Sequence, residues 1–250
     1  MVYLTGDCHG NFSKIYKFTA QNVNLSKDDF LIILGDFGGI WSKEENEKEK
    51  LEFEKLSSLP FNILFIDGNH ENFDRLYNFP IKDMYGGKVH VIRKNIFHLI
   101  RGEVYEIDNK KFFCFGGASS HDAEYILDIK SPLFKPQYQI LVENNVRFRI
   151  KNISWWEKEL PNKEEYENGL RNLEKHNFTV DYILTHSPSK TLLDINKFKK
   201  EYKRDELTVY IDEILSKTNY KKWFFGHLHK DEEFNIQKGT CIYKNIELIN

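Results

Sequence analysis

Among the residues of this 250-residue chain whose types hold divalent cations or carry protons, eight stand at the ends of apolar runs. They stand in five short clusters: Asp7 with His9, Asp36, Asn69 with His70, His186, and His227 with His229. Seven of them (Asp7, His9, Asp36, Asn69, His186, His227 and His229) offer a carboxylate, amide oxygen or imidazole and no thiolate, a donor set that suits two divalent metals. Within Asp7-Cys8-His9 and His227-Leu228-His229 the i, i+2 spacing on extended backbone sends both side chains to one face, so each pair can turn towards a common centre. Asp36 can bridge. Two cations about 3.5 to 4 Å apart lower the pKa of a shared water and clamp the attacking and leaving oxygens of an in-line displacement at phosphorus. Mixed nitrogen and oxygen ligation predicts Mn, Fe, Zn, Co or Ni, manganese first, over Mg or Ca, which prefer all-oxygen shells. His70, beside the amide of Asn69, is an imidazole that can stay off the metal as a proton carrier.

Strand ends must position these residues. Residues 2–5 read as a short strand that stops at Gly6-Asp7-Cys8-His9-Gly10, and 29–34 as a continuous apolar run that stops at Gly35-Asp36. Residues 61–66 form a third such strand, stopping at Gly68-Asn69-His70-Glu71, with a charged surface helix over 43–59 before it. Apolar runs of this kind suit strands covered on both faces, and ligands gather outside their carboxyl ends. From residue 89 short runs at 89–92, 97–100, 104–107 and 111–115, with Asp108-Asn109 as a hairpin turn, predict a second, more antiparallel sheet. The stretch 118–150 is irregular and long, a candidate insertion or lid within a single domain spanning 1–250. Ser154 is expected to cap a helix holding Trp155 and Trp156, and 163–176 to continue as helix. Strands ending at His186 and His227 and a closing hairpin over 234–243 complete the chain.

Composition narrows the class. Apolar residues at 40% and charged residues at 30% describe a globular protein, and 20 Phe with 13 Tyr predict an aromatic core. A net charge of −2 lacks the basic balance of a typical nucleic-acid binder. Three widely spaced cysteines, Cys8, Cys114 and Cys241, form no C-x-x-C pair, so no disulfide framework or thiolate zinc site is predicted. With no apolar stretch near the ~20 residues that span a bilayer, the expectation is a cytoplasmic protein with no membrane partner.

In order along nearly the whole chain, Gly6-Asp7-x-His9-Gly10, Gly35-Asp36, Gly68-Asn69-His70-Glu71, His186 and Gly226-His227-x-His229 resemble the calcineurin-like metallophosphoesterase superfamily. The resemblance implies an α/β fold, two packed mixed β-sheets flanked by helices as a four-layer α/β/β/α sandwich. It implies that Asp7, His9 and His229 hold one metal, that Asp36 bridges, and that Asn69, His186 and His227 hold the other. His70 is then the general acid towards the leaving oxygen, with hydroxide between the metals attacking a phosphomonoester or phosphodiester. In the protein Ser/Thr phosphatase branch the second motif continues Gly-Asp-x-x-Asp-Arg, with the Asp orienting the catalytic His. Here Gly39 and Ile40 stand in those places, and Asp67 replaces an Arg before Gly68. Some other group must orient His70, with Glu71, Asp67 or a backbone carbonyl as candidates. Arg75, Arg93 and Arg101 are the candidate substitutes for phosphate contact, Arg101 foremost, and His121 a substrate or supporting contact. The alternatives are a metal-dependent nuclease, for which Lys130, Lys135, Arg147, Arg149 and Lys151 would form a basic stripe, or a binding scaffold without turnover.

Overall fold

In chain order, β1 (Val2–Thr5) leads to α1 (Ser13–Gln21), β2 (Phe30–Leu34) to α2 (Glu47–Ser57) and β3 (Asn62–Ile66) to the single turn α3 (Phe73–Leu76). Strands β4 (Ile81–Met84), β5 (Gly87–Arg93), β6 (Ile96–Leu99), β7 (Glu103–Ile107) and β8 (Lys110–Phe115) follow without an intervening helix. Then come β9 (Tyr125–Leu127), α4 (Phe134–Glu143), β10 (Phe148–Ile150), α5 (Lys163–Lys175), β11 (Tyr182–Thr185), α6 (Lys190–Leu193), α7 (Glu206–Lys217) and β12 (Lys222–Phe225). The chain closes with β13 (Glu232–Phe234), β14 (Gly239–Cys241) and β15 (Ile246–Ile249). This computed structural model describes residues 1–195, 198 and 202–249.

Two large sheets result, a seven-stranded one in the order β15-β1-β2-β3-β6-β5-β4 and a six-stranded one in the order β13-β14-β12-β11-β8-β7. The apolar runs of the central strands are explained by burial on both faces. Leu31, Ile33, Ile63 and Phe65 pack outward with Ile15 of α1 and Phe53 and Leu56 of α2. The alternate residues Ile32, Leu34, Leu64 and Ile66 pack inward with Phe112, Cys114, Leu184 and Phe224 of the other sheet. On that sheet's far face Phe113, Phe115, Ile183, Trp223 and Phe225 pack with Leu173 of α5 and Ile211 and Ile214 of α7. The layers are therefore helix, mixed sheet, mixed sheet, helix, as expected.

Four expectations are corrected. The strands from residue 87 onward do not all belong to a second sheet: β5 and β6 extend the first sheet past β3, and only β7 and β8 enter the second. The chain crosses between sheets at Ile100-Arg101-Gly102, where Gly102 takes φ of 79°. Trp155 and Trp156 are not helical, because Ser154 Oγ accepts a hydrogen bond from Ile150 N and folds a tight turn, leaving one 3-10 turn at Glu157–Glu159. Residues 118–150 are not irregular throughout, since β9 and β10 pair in parallel as a separate two-stranded sheet beside α4. The closing hairpin forms between β13 and β14, but β15 then returns to pair antiparallel with β1, a strand that local pattern did not reveal. The Asp108-Asn109 turn is as expected, both residues adopting positive φ (51° and 59°) between β7 and β8.

Candidate metal centre

The turns after β1, β2 and β3 in one sheet and after β11 and β12 in the other carry Asp7, Asp36, Asn69, His186 and His227. Ligand atoms of Asp7, His9, Asp36 and His229 all lie within 4.8 Å of one another, and the two carboxylates are buried. His229 Nε2 is 2.9 Å from Asp7 Oδ2 and 3.0 Å from His9 Nε2, while His9 Nδ1 is 3.7 Å from Asp36 Oδ2. His186 Nε2 stands 3.5 Å from Asp36 Oδ1, and its ring meets that of His227 edge-on with centroids 5.0 Å apart. Asp36 thus sits between the group built on Asp7, His9 and His229 and the group built on His186.

Backbone conformation marks the same residues. His9 (φ 48°), Asp36 (48°), His227 (64°) and His229 (50°) are all left-handed. For residues with a Cβ this costs about 1–2 kcal/mol each, a strain that persists where the surroundings over-determine a functional turn. The motif glycines are explained by the ligands they accommodate. A Cβ on Gly68 would stand 2.1 Å from Asp36 Oδ1, and one on Gly35, at φ 91°, would stand 2.2 Å from His186 Nδ1.

Asn69 Oδ1 is buried with no hydrogen-bond partner, and Asp7 Oδ2 and His186 Nε2, which make no well-directed hydrogen bond, are met only by the neighbouring ligands His229 (2.9 Å) and Asp36 (3.5 Å). Such atoms are costly unless a hydrogen bond or a cation meets them, so the residues fit a divalent metal. Supporting bonds aim them. Asn69 Nδ2 donates to Ser120 Oγ (3.4 Å), whose hydroxyl donates to the buried Glu159 (2.6 Å), which leaves the Asn69 oxygen free. His186 Nδ1 lies 2.7 Å from the Leu34 carbonyl, directing Nε2 at Asp36. Lys14 Nζ donates to the carbonyls of Gly6, Asp7 and Tyr243 at 2.7, 3.0 and 2.6 Å, a half-buried cation tied to the first turn. Ser120, Glu159 and Lys14 carry no motif of their own; only the His121 neighbourhood hinted at Ser120.

Electrostatics agree with a cation site. Burial works against a charged His186, but Asp36 and then Asp7 overcome it and lift the imidazole to about 9. Burial likewise opposes ionisation of Asp36, and His186 outweighs it, holding the carboxyl well below its usual range. His227 is pushed well below the ordinary imidazole value by burial and by His186.

His70 lies at the rim, its backbone N–H donating to Asp36 Oδ1 (2.8 Å) and its ring edge-on to His9 at 4.8 Å. Neither residue suggested to orient it does so. Glu71 is buried and accepts from the N–H groups of Phe37 and Gly38, its carboxyl held well above the usual value by burial and then by Asp36. Asp67 is buried against Arg101 and His98. Arg101 is corrected with it: 1% exposed, its guanidinium meets Asp67, Glu165 and the Lys158 carbonyl and does not reach the cleft. Arg75 and Arg93 are likewise engaged, with Glu49 and Glu45. The group that meets the His70 side chain comes from the 118–150 excursion: Arg149 Nη2 is 3.3 Å from His70 Nε2, and Arg149 Nε donates to Asp122 at 3.0 Å. Sequence reading placed Arg149 only in a basic stripe, because its contact spans 79 residues. His121 is brought to the site as expected, edge-on to His227 at 5.1 Å with a buried, unpartnered Nδ1. Cys8 is buried in the outer core, facing away from the ligands.

Comparison with known proteins agrees with this geometry. The chain is 27% identical over 164 residues to a lariat debranching enzyme of Saccharomyces cerevisiae (strain ATCC 204508 / S288c). That match covers 61% of this chain and 37% of the relative, so the chain spans little more than a third of that protein's length. A solved phosphopantetheinyl hydrolase from Mycobacterium tuberculosis shares the fold, with a TM-score of 0.50 at 13% identity over 97% of this chain and 87% of that one. The calcineurin-like phosphoesterase profile matches residues 1–231. With the profile covering nine-tenths of its length and the ligand turns in place, the chain belongs to the calcineurin-like phosphoesterase family.

Proposed function

We propose that this chain hydrolyses a phosphomonoester or phosphodiester at a dinuclear divalent metal centre. Asp7, His9 and His229 hold one metal, Asp36 bridges, and Asn69, His186 and His227 hold the other, with manganese the first candidate. When bound, such a pair supplies an activated water and neutralises charge on the phosphoryl oxygens. The chain's own contribution is positioning and proton transfer. The His70 imidazole, at the rim beside the bridging carboxylate, donates a proton to the leaving oxygen. Arg149, anchored by Asp122 beside His70, carries only donors and so faces His70 Nε2 as an acceptor in the free site; turned onto the phosphoryl group it supplies the guanidinium that the second and third motifs lack and frees that nitrogen to carry the proton. His121 borders the opposite side, next to His227.

The observation that carries this reading is the set of buried atoms without a well-directed hydrogen bond on Asp7, Asn69 and His186 beside a clustered Asp7, His9, Asp36 and His229. Elemental analysis after loading should find two metals per chain, and the loaded protein should cleave p-nitrophenyl phosphate or its bis ester. One metal at most, with no cleavage across Mn, Ni, Co and Zn, would defeat the proposal. A nuclease is the second reading, kept by the debranching enzyme among the relatives. The basic stripe supports it less, because Arg149 is turned inward onto Asp122 and His70. Cleavage of short single-stranded DNA, abolished in Asn69→Ala, would favour it.

A further inference from the structure

A cleft of about 410 Å³ opens beside the metal centre, within the range of small-molecule sites. His9 and His70 line it together with Trp41, Ser42, Asn46 and Lys48. Trp41 belongs to none of the three hydrophobic core clusters and is half-buried, so filling the core does not explain it. It is nevertheless fixed. Trp41 N and Ser42 N donate to Glu49 Oε1 (3.0 and 2.7 Å), and the Trp41 carbonyl accepts from Asn72 Nδ2 (3.0 Å). The Ser42 carbonyl accepts from Arg75 Nη1 (2.8 Å), and the buried Trp156 meets the Trp41 ring edge-on at 5.6 Å. The indole lies near-parallel to the His70 ring, at 30° with centroids 6.2 Å apart. A flat aromatic face is thus held rigidly beside the residue read above as the leaving-group acid.

The polar atoms around that face narrow the ligand. The carboxylates lining the cleft create no demand for a cation: Glu49 is engaged by Trp41, Ser42 and Arg75, and Glu52 by the Tyr16 hydroxyl (2.6 Å). What remains are donors. Ser42 Oγ accepts from Asn46 Nδ2 (2.6 Å), which leaves its own proton to give. Lys48 has no acidic partner among the described residues and lines the cleft at the surface. An aliphatic chain would cover these donors without satisfying them, at a desolvation cost. A planar heterocycle with acceptor atoms on its edge stacks on the indole and accepts from Ser42, and an attached phosphate meets Lys48.

We propose that the cleft between His70 and Trp41 binds a nucleoside carried on the leaving side of the phosphoester, with Trp41 as the stacking platform and Lys48 facing a further phosphate. This names the substrate class of the reading above and rests on His70 as the leaving-group acid. Stacking of a base on an aromatic side chain is lost on truncation with an effect of about tenfold or more.

The test separates binding from chemistry. Adenosine or guanosine, titrated calorimetrically into the metal-free and the manganese-loaded protein, should bind saturably, and ribose should not. Trp41→Ala should weaken that binding at least tenfold and Trp41→Phe should largely restore it. On the loaded enzyme, Trp41→Ala should lower kcat/KM for a dinucleoside monophosphate about tenfold more than kcat/KM for glycerol phosphate. Saturable nucleoside binding that depends on Trp41, in a protein that cleaves no phosphoester, would uphold the pocket and sink the hydrolase reading. Phosphoester cleavage with no nucleoside binding, or with Trp41→Ala affecting all substrates equally, would overturn the pocket and leave the hydrolase reading intact. Circular dichroism of each variant verifies the fold, which the backbone bonds of Trp41 sustain without its ring.

Discussion

At the scale of single residues, the candidate ligands are distinguished by strain as well as by type. His229 is exposed and left-handed, its Nε2 2.9 Å from the buried Asp7 carboxylate. His229→Asn, a residue that tolerates the left-handed region, should lower the metal bound per chain while the metal-free protein still unfolds cooperatively, destabilised by the loss of the partner of the buried Asp7 carboxylate. Denaturant unfolding and elemental analysis of the same preparation check this; equal metal content in both proteins would remove His229 from the site. Arg149 makes the complementary case. Arg149→Met should leave the metal content of the loaded protein unchanged and lower kcat roughly a hundred- to a thousandfold, the scale of losing one positioned donor at a developing charge. Unchanged kcat would make Arg149 a structural partner of Asp122 alone.

At the scale of elements, the outer strands of the first sheet hold a buried polar chain that has nothing to do with ligands. His90 Nδ1 and His98 Nδ1 lie 2.9 Å apart across the β5–β6 pair, and His98 Nε2 is 3.1 Å from Asp67 Oδ1, which also pairs with Arg101. This chain ties β5 and β6 to the end of β3, where Asp67 precedes Gly68. Burial, reinforced by His98, lowers His90 to about 3. In the unfolded chain the imidazole titrates near 6.5. The folded protein therefore refuses a proton that the unfolded chain accepts between these values, so this contribution is complete above about pH 6.5 and is lost as pH falls towards 3, by at most about 1.4 kcal/mol per pH unit. His90→Gln, which keeps a donor for His98 without the titration, should flatten the pH dependence of urea midpoints between pH 6.5 and 4. A slope unchanged from wild type would assign the acid sensitivity to other groups. In the same sheet Ile33 is fully buried, and Ile33→Ala should cost about 2–5 kcal/mol by leaving a cavity under α1 and α2.

At the scale of the whole molecule, the two sheets converge on one site, and the excursion 118–150 leans over it. Its strands β9 and β10 pair only with each other, so no ladder of the large sheets runs through them. Replacing residues 123–150 with a flexible linker should preserve the far-ultraviolet spectrum and the metal content of the loaded protein while reducing turnover at least as far as Arg149→Met does. Unchanged turnover would make the excursion passive. Exposed apolar side chains on it, among them Leu133, Ile140 and Val142, make oligomeric state a second readout. Among the described residues no helix is long and apolar enough to cross a membrane.

Much of this molecule was legible in the chain, for a definite reason. Asp7, Asp36, Asn69, His186 and His227 directly follow apolar runs whose burial on both faces dictates strands, and turns after parallel strands collect on one edge. Local pattern thus located the strands and the turns that carry these residues, since each depends on neighbours a few residues away, and the order of the motifs, through the family they resemble, implied the four-layer fold. Tertiary structure alone decided which partners meet across long separations. It took β15 back to β1 and divided the strands after residue 87 between two sheets, because strand pairing depends on which edge is free. It buried Arg101 against Asp67, brought Ser120 and Glu159 behind Asn69, set Arg149 against His70, and placed Trp41 along the cleft beside it. A side chain's partner is set by where the folded backbone delivers it, and a lone Arg, Glu or Trp carries no local pattern that reports that destination.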